Sequence, residues 1–440
     1  MLITNARLIN EGQITQGDLL IKHGRIEKIA GSITAPAGVV VHDAKGKLLM
    51  PGMIDDQVHF REPGMTHKGH LASESAAAVA GGITSFMEMP NTIPNTTTRA
   101  VLADKYALAA GKCFGNYAFY FGGANDNLEE IKRLRPGEAP AVKVFMGAST
   151  GNMLVDDPTT LNGIFEHSAL PILTHCEDTP TIKANEVAAR EKYGEDVPFS
   201  EHWQIRSHEA CYLSTQLAVG LAKKHKARLH VLHLTTAREL EFFSAGPIEG
   251  KLITVEACVH HLFLNDSFYA ERGPQIKCNP AVKNESDRVA LVKAVRDGVI
   301  DIIATDHAPH TIAEKAQGFW KCPSGLPLVQ YALPVLFALV QRGELTLEQV
   351  VQKVCHAPAL RFGVVERGFL REGYHADLTL VDLDTPTHAR NADVRSLCGW
   401  TPFDGMSFPA SIAATWVNGA LAYDGREVLP VPRGERLICK

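Results

Sequence analysis

Apolar and polar positions alternate along this chain in two distinct rhythms. Through the middle of the sequence, short apolar runs end in polar or Gly-rich residues, and each is followed by a helical-looking stretch, the βα alternation of a parallel sheet. Eight such runs occur: MIDDQVHF from Met53, ITSFMEMP from Ile83, YAFYFGG from Tyr117, AVKVFMG from Ala141, PILTHCE from Pro171, RLHVLHLTT from Arg228, ITVEACVHH from Ile253 and IDIIATDHAPH from Ile300. Eight parallel strands predict an α/β fold, a closed (β/α)8 TIM-type barrel. Between the runs, LASESAAAVAGG (Leu71 to Gly82) is rich in helix formers and ends in a Gly pair suited to a C-cap, and ESDRVALVKAVRDG ends likewise at Gly298. The flanks differ. LITNARLIN, GDLLIKHGRIEKIA and VVVHDAKGKLLMPG at the start, with GYHADLTLVDLD and ATWVNGALAYDGREV near the end, read as short strands joined by turns, Asn418-Gly419 being a hairpin signal. The two ends are expected to pair into one small β-sandwich domain, residues 1–50 and 368–440, beside a barrel at 51–367.

Composition narrows the class. A chain of 440 residues with 45% hydrophobic and 21% charged positions has values ordinary for a globular protein, far from disordered or collagen-like sequences. The net charge of -5, without a long run of one sign, indicates neither a nucleic-acid surface nor a polybasic membrane patch. MLITNARLIN lacks a basic segment followed by an apolar one, and no stretch approaches the roughly 18 apolar residues of a spanning helix, so a cytoplasmic protein is expected. Nine Cys without a CxxC pair argue against a disulfide framework and against a structural zinc knuckle.

In a barrel of this kind, functional groups sit at the C-terminal ends of the strands. Here those ends are rich in metal ligands: His59 ends the first run, Lys143 lies in the fourth, His175 ends the fifth, His233 the sixth and Asp306 the eighth. A lone His is more often structural than a ligand, and 19 His in one chain guarantee bystanders. The shared position is what makes the case: three imidazoles and a carboxylate at one barrel mouth suit zinc or a similar divalent ion, with positions open for water and substrate. His260 and His261 read equally well as partners orienting those ligands or as structural residues, and His70, His167 and His225 as surface or helix residues.

The run VHFREPG (Val58 to Gly64), MPNT (Met89 to Thr92), HLTT after the sixth run, NPAVK (Asn279 to Lys283) and ATDHAPH (Ala304 to His310) together resemble the dihydroorotases of the amidohydrolase superfamily, and the likeness covers nearly the whole chain. The resemblance implies reversible, metal-dependent hydrolysis of the cyclic amide of (S)-dihydroorotate to N-carbamoyl-L-aspartate, with ring closure serving pyrimidine biosynthesis. It implies that His59, His175 and His233 bind one or two zinc ions and that Asp306 is both ligand and catalytic base. Lys143 would be carboxylated, its carbamate bridging the metals; the alternatives are a bridge from Asp156 or Asp157, or a plain Lys paired with a carboxylate. Gln57 departs from the family's His-x-His, and its uncharged amide predicts a weakened site for one ion.

Arg61, two residues beyond His59, offers a guanidinium that matches a substrate carboxylate in bidentate geometry. The resemblance adds Asn91 and His310 around that carboxylate, and Asn279, Ser324 and Gly325 around the ring. It also implies a homo-oligomer such as a dimer and leaves association with aspartate carbamoyltransferase open. GASTGNMLVDD and AEKAQGFWKCPSG are the candidate lids. Competing expectations are an allantoinase or dihydropyrimidinase, or a non-catalytic scaffold for the transcarbamoylase.

Overall fold

A computed structural model describes residues 1–147 and 153–440. Eight parallel strands form the barrel, each coinciding with one of the runs read from the sequence, the third starting one residue early at Asn116. Met53–Val58, Ile83–Glu88 and Asn116–Phe119 pair in succession, as do Phe121–Gly122, Val142–Phe145, Ile172–His175, Leu229–Val231, Ile253–Cys258 and Ile302–Ala304. The third strand is interrupted at Tyr120, so Asn116–Phe119 pairs with the second strand and Phe121–Gly122 with the fourth. Closure comes from a parallel bridge between Val58 and His307, where His59 N donates to His307 O at 2.7 Å. Strands such as Ile83–Glu88 are buried along their whole length, which is why they read as continuous rather than alternating apolar runs.

The barrel interior is layered. Ile54, Met87, Tyr120, Leu173, Leu232 and Ile302 belong to one apolar cluster that also takes in Phe362. A polar group interrupts the apolar filling: His230 Nε2 lies 3.2 Å from Glu256 and 3.5 Å from Asp56, all three fully buried, and the Tyr120 hydroxyl donates to Asp56 O at 2.8 Å. Burial pushes the Glu256 carboxyl up to about 8 and the Asp56 carboxyl well above the usual range.

Strands from both chain ends share one eight-stranded sheet. Leu2–Asn10 pairs antiparallel with Gln13–Lys22, while its other edge runs parallel first to Val41–Asp43 and then to Leu48–Pro51. Leu48–Pro51 continues the sheet into Leu378–Asp382, Ser411–Val417 and Ala420–Tyr423. Side chains from both arms, among them Ile3, Leu19, Ile26, Leu49, Leu378 and Trp416, meet in a core of their own. Asn418 (φ 51°) and Gly419 (φ 76°) supply the two left-handed residues of the hairpin turn.

Two stretches near the C-terminus lie against the barrel. Trp400 is buried there with its indole N–H donating to His310 O at 2.7 Å. In the tail, Leu437 N donates to Tyr117 O at 2.8 Å and Lys440 N to Gly363 O at 3.0 Å. Among the described residues no helix is long and apolar enough to cross a membrane.

Candidate active site

The predicted metal set (Gln57, His59, Lys143, His175, His233 and Asp306) and the predicted substrate set (Arg61, Asn91, Asn279, His310, Ser324 and Gly325) line a single cleft. It encloses about 530 Å³ of empty space, part of it open to solvent, a size suited to a small molecule. Three of these residues, Arg61 (φ 71°), His233 (φ 38°) and Asp306 (φ 51°), hold the left-handed backbone region that non-glycine residues avoid. Neighbours brace the last two. Asp55 accepts from Thr305 N at 3.1 Å and Thr305 Oγ1 at 2.6 Å, clamping the chain just before Asp306, while Glu256 Oε1 accepts from His233 N at 3.1 Å. Gly325 (φ 150°) has no alternative: a Cβ would sit 2.5 Å from Ala308 O and 2.9 Å from the His310 ring.

On the metal side the ligands meet in pairs. His175 Nδ1 and His233 Nε2 face each other at 2.9 Å, near the ~3.3 Å expected between two nitrogens on one tetrahedral ion with bonds of about 2.0 Å. The far nitrogen, His175 Nε2, is held at 2.8 Å by Glu177, which Arg206 meets at 3.0 Å, the carboxylate-behind-histidine arrangement of metal sites. His59 Nε2 lies 3.2 Å from Asp306, and His59 Nδ1 lies 2.9 Å from Asn91 Oδ1. Burial depresses the pKa of all three imidazoles, against the pull of Asp306 on His59 and of Glu177 on His175, so they favour the neutral form that binds cations.

Lys143 is buried, and among the described residues its ammonium makes no hydrogen bond or ion pair; the Phe145 ring lies 4.5 Å from it. Burial lowers its pKa to about 8, opposed by the charges of Asp306 and Glu256, and its own charge is felt by His59, His175 and His233. The cleft thus surrounds one amine with every predicted metal-binding imidazole. The two aspartates considered as bridges lie elsewhere. Asp156 bonds Asn125 at 2.8 Å and Asp157 caps the helix Pro158–His167 through Thr160 N at 2.7 Å, both exposed and outside the cleft. Gln57 directs its amide oxygen to the Cys258 thiol at 3.7 Å.

Two further buried groups each bring three ligand atoms within 4.8 Å of one another: Cys258, His260 and His261, and Asp56, His230 and Glu256. His261 Nε2 lies 3.0 Å from Pro280 O, and neither His260 nor His261 hydrogen-bonds a predicted ligand. His70 caps the helix Leu71–Ala80, accepting from Ser73 N.

The substrate side is cationic. Arg61 is buried, its Nε donates to Pro309 O at 3.1 Å, and among the described residues no carboxylate lies within ion-pair distance of it. Burial lowers its pKa to about 10 against the distant pull of Asp306 and Glu88. Asn279, with its amide turned to satisfy both ends, accepts from Arg206 Nη2 at 2.6 Å and donates to Ser324 Oγ at 3.1 Å. The segment AEKAQGFWKCPSG is tied down by Lys315, whose buried ammonium donates to Lys277 O, Pro323 O and Gly325 O at 3.0 to 3.1 Å. The other candidate lid, residues 147–157, falls in part on residues 148–152, outside the described residues.

Sequence reasoning missed several supporting groups. Asp55 and Glu256 lie within strands and Glu177 two residues beyond one, and an acidic residue inside an otherwise apolar run such as ITVEACVHH was the available signal. Arg206 carried none, because Glu177 and Asn279 are remote from it in the chain.

The Amidohydrolase family matches residues 48–422. The chain is 34% identical over 431 residues to a dihydroorotase of Halobacterium salinarum, covering 96% of this chain and 97% of that one. It is 33% identical over 415 residues to the dihydroorotase of Methanosarcina acetivorans, covering 92% and 88%. Among solved structures, the L-hydantoinase (dihydropyrimidinase) of Arthrobacter aurescens superposes with a TM-score of 0.94 at 29% identity, over 99% of both chains. With these matches spanning barrel and terminal sheet alike, the chain belongs to the amidohydrolase family and is a cyclic amidohydrolase.

Proposed function

We propose that this amidohydrolase is a dihydroorotase, interconverting (S)-dihydroorotate and N-carbamoyl-L-aspartate. The observation that carries this reading is the Arg61 guanidinium, buried at the cleft without a carboxylate partner among the described residues. An unpaired buried cation is costly, and an anionic substrate group relieves that cost where a neutral ring does not. Relatives named dihydroorotase, matched over nearly their whole length, support the same substrate.

His59, His175, His233 and Asp306, with Lys143 as a carbamate, are the residues that would hold zinc or a similar ion. When bound, such an ion polarises the ring carbonyl and acidifies a water to near-neutral pKa. Asp306 accepts the proton of the attacking water and then delivers it to the departing ring nitrogen, acting first as base and then as acid. Arg61, Asn91 and His310 fix the carboxylate end while Asn279 and the Ser324-Gly325 segment border the ring, so the scissile amide is presented to Asp306 in one orientation.

A second reading, hydrolysis of a neutral cyclic imide, is favoured by the 0.94 TM-score to a hydantoinase. One experiment separates the two. Zinc per chain and turnover of dihydroorotate, hydantoin and dihydrouracil are measured for the wild type and for Arg61→Met. The expected result is dihydroorotate turnover by the wild type, a loss of about 30-fold or more in kcat/KM in the variant, consistent with ~2 kcal/mol or more for a buried charge-assisted contact, and unchanged metal content. Equal kinetics in the two proteins would sink the assignment.

A further inference from the structure

His310 stands between two cations. Its Nε2 lies 3.0 Å from Arg61 Nη2 and 3.2 Å from Ser324 O, and its Nδ1 lies 3.1 Å from Lys68 Nζ. Lys68 is itself held by Glu314 at 2.9 Å, while Glu314 also stands 3.7 Å from His310 Nδ1. The charges that face the imidazole are thus Arg61, Lys68 and Lys315, with Glu314 the near carboxylate, and burial together with those cations holds it neutral.

A neutral imidazole has one donor nitrogen and one acceptor nitrogen. Ammonium and guanidinium both only donate, so one ring nitrogen must meet its cation with an N–H. Nε2 has an acceptor in hydrogen-bond reach, Ser324 O at 3.2 Å, whereas the carboxylate nearest Nδ1 is Glu314 at 3.7 Å, and the proton is therefore placed on Nε2 with Nδ1 accepting from Lys68. That N–H then donates to Ser324 O and cannot accept from Arg61. The Arg61 Nη2 group, 3.0 Å from Nε2, then gains no acceptor in His310, and a carboxylate in the cleft supplies one. Without Lys68 the order reverses: Nδ1–H turns to Glu314, and the Nε2 lone pair binds Arg61 and withdraws that donor from the site.

From this proton count, resting on the reading of the cleft as a carboxylate site, we infer that Lys68 is a specificity-determining positioning residue: it fixes His310 as the Nε2–H tautomer, so that His310 and Arg61 both present N–H donors to the substrate carboxylate. Lys68 acts through His310 and need not touch the substrate itself. Neutral rings, which offer no carboxylate, draw nothing from this arrangement.

The test uses the zinc-loaded full chain with 15N-labelled histidine, comparing wild type, Lys68→Met, Lys68→Arg and Glu314→Gln. Imidazole 15N shifts report which nitrogen of His310 carries the proton, with His310→Gln assigning the signals. The expected result is an Nε2–H pattern in the wild type and in Lys68→Arg, and a shift toward Nδ1–H in Lys68→Met. KM for dihydroorotate should rise about tenfold or more in Lys68→Met with kcat less affected, be restored by Lys68→Arg, and rise to a smaller extent in Glu314→Gln, which loosens the lysine. An Nε2–H signal that survives Lys68→Met overturns the inference, as does a changed tautomer with an unchanged KM. If the wild type does not turn over dihydroorotate, the functional reading fails on its own while the 15N pattern still decides the role of Lys68.

Discussion

At the scale of single residues, Lys143 shows how burial sets reactivity. Its pKa of about 8 leaves about a tenth of the amine neutral at pH 7 and about half at pH 8, where an exposed lysine would be almost fully protonated. Only the neutral amine adds carbon dioxide, so carboxylation should rise with pH and level off above the folded pKa. Metal-free protein exposed to 13C-bicarbonate is expected to gain a carbamate resonance that grows steeply between about pH 7 and pH 9 and is missing from Lys143→Arg. A resonance of constant size across that range would count against Lys143 as its origin. The identity of such residues was legible because strand ends project into one mouth, so His59, Lys143, His175, His233 and Asp306 could be read from their place in each run. Lys68 was not legible: its effect depends on His310, 242 residues away, and on counting protons in a geometry that no local pattern encodes.

Between elements, the closing seam of the barrel rests on one helix. Glu74, on Leu71–Ala80, accepts from His307 Nε2 at 2.8 Å and from Leu397 N at 3.0 Å, and His307 is the residue bridged to Val58. Burial alone would raise the Glu74 pKa, but the bonds from His307, Ser396 and Leu397 outweigh it and hold the carboxyl below its ordinary value. Its stabilisation is therefore present above the unfolded pKa near 4.5 and is lost as pH falls through the lower folded value. Glu74→Ala should cost about 2–4 kcal/mol in urea unfolding at neutral pH, since it strands a buried imidazole, and the difference from wild type should shrink in acid. A deficit that stays constant from neutral pH into acid would refute this role. The helix itself and its Gly-Gly end were readable from composition. That its only first-turn acid would face inward, onto the eighth strand, was not, because a carboxylate on a helix is ordinarily a solvent group.

For the whole molecule, the tail couples chain end to barrel. Leu437 and Cys439 are buried, and the tail pairs with Tyr117 and Gly363 rather than with the strands at the mouth that carry the cleft residues. Removing residues 435–440 should destabilise the protein by about 3 kcal/mol or more, from the apolar burial of those two side chains, and lower Tm, while kcat/KM at low temperature stays near wild type. A large loss of kcat/KM in the folded, truncated protein would show that the tail shapes the cleft.

The sequence by itself determined the barrel, the β-rich character of the two ends and which residues gather at the cleft, because those follow from apolar periodicity, turn residues and positions along the strands. Tertiary structure alone decided which charges stay unpaired, which cations flank the two nitrogens of His310 and which thiol faces the Gln57 amide. Those properties depend on distances between residues far apart in the chain and on the water that folding excludes.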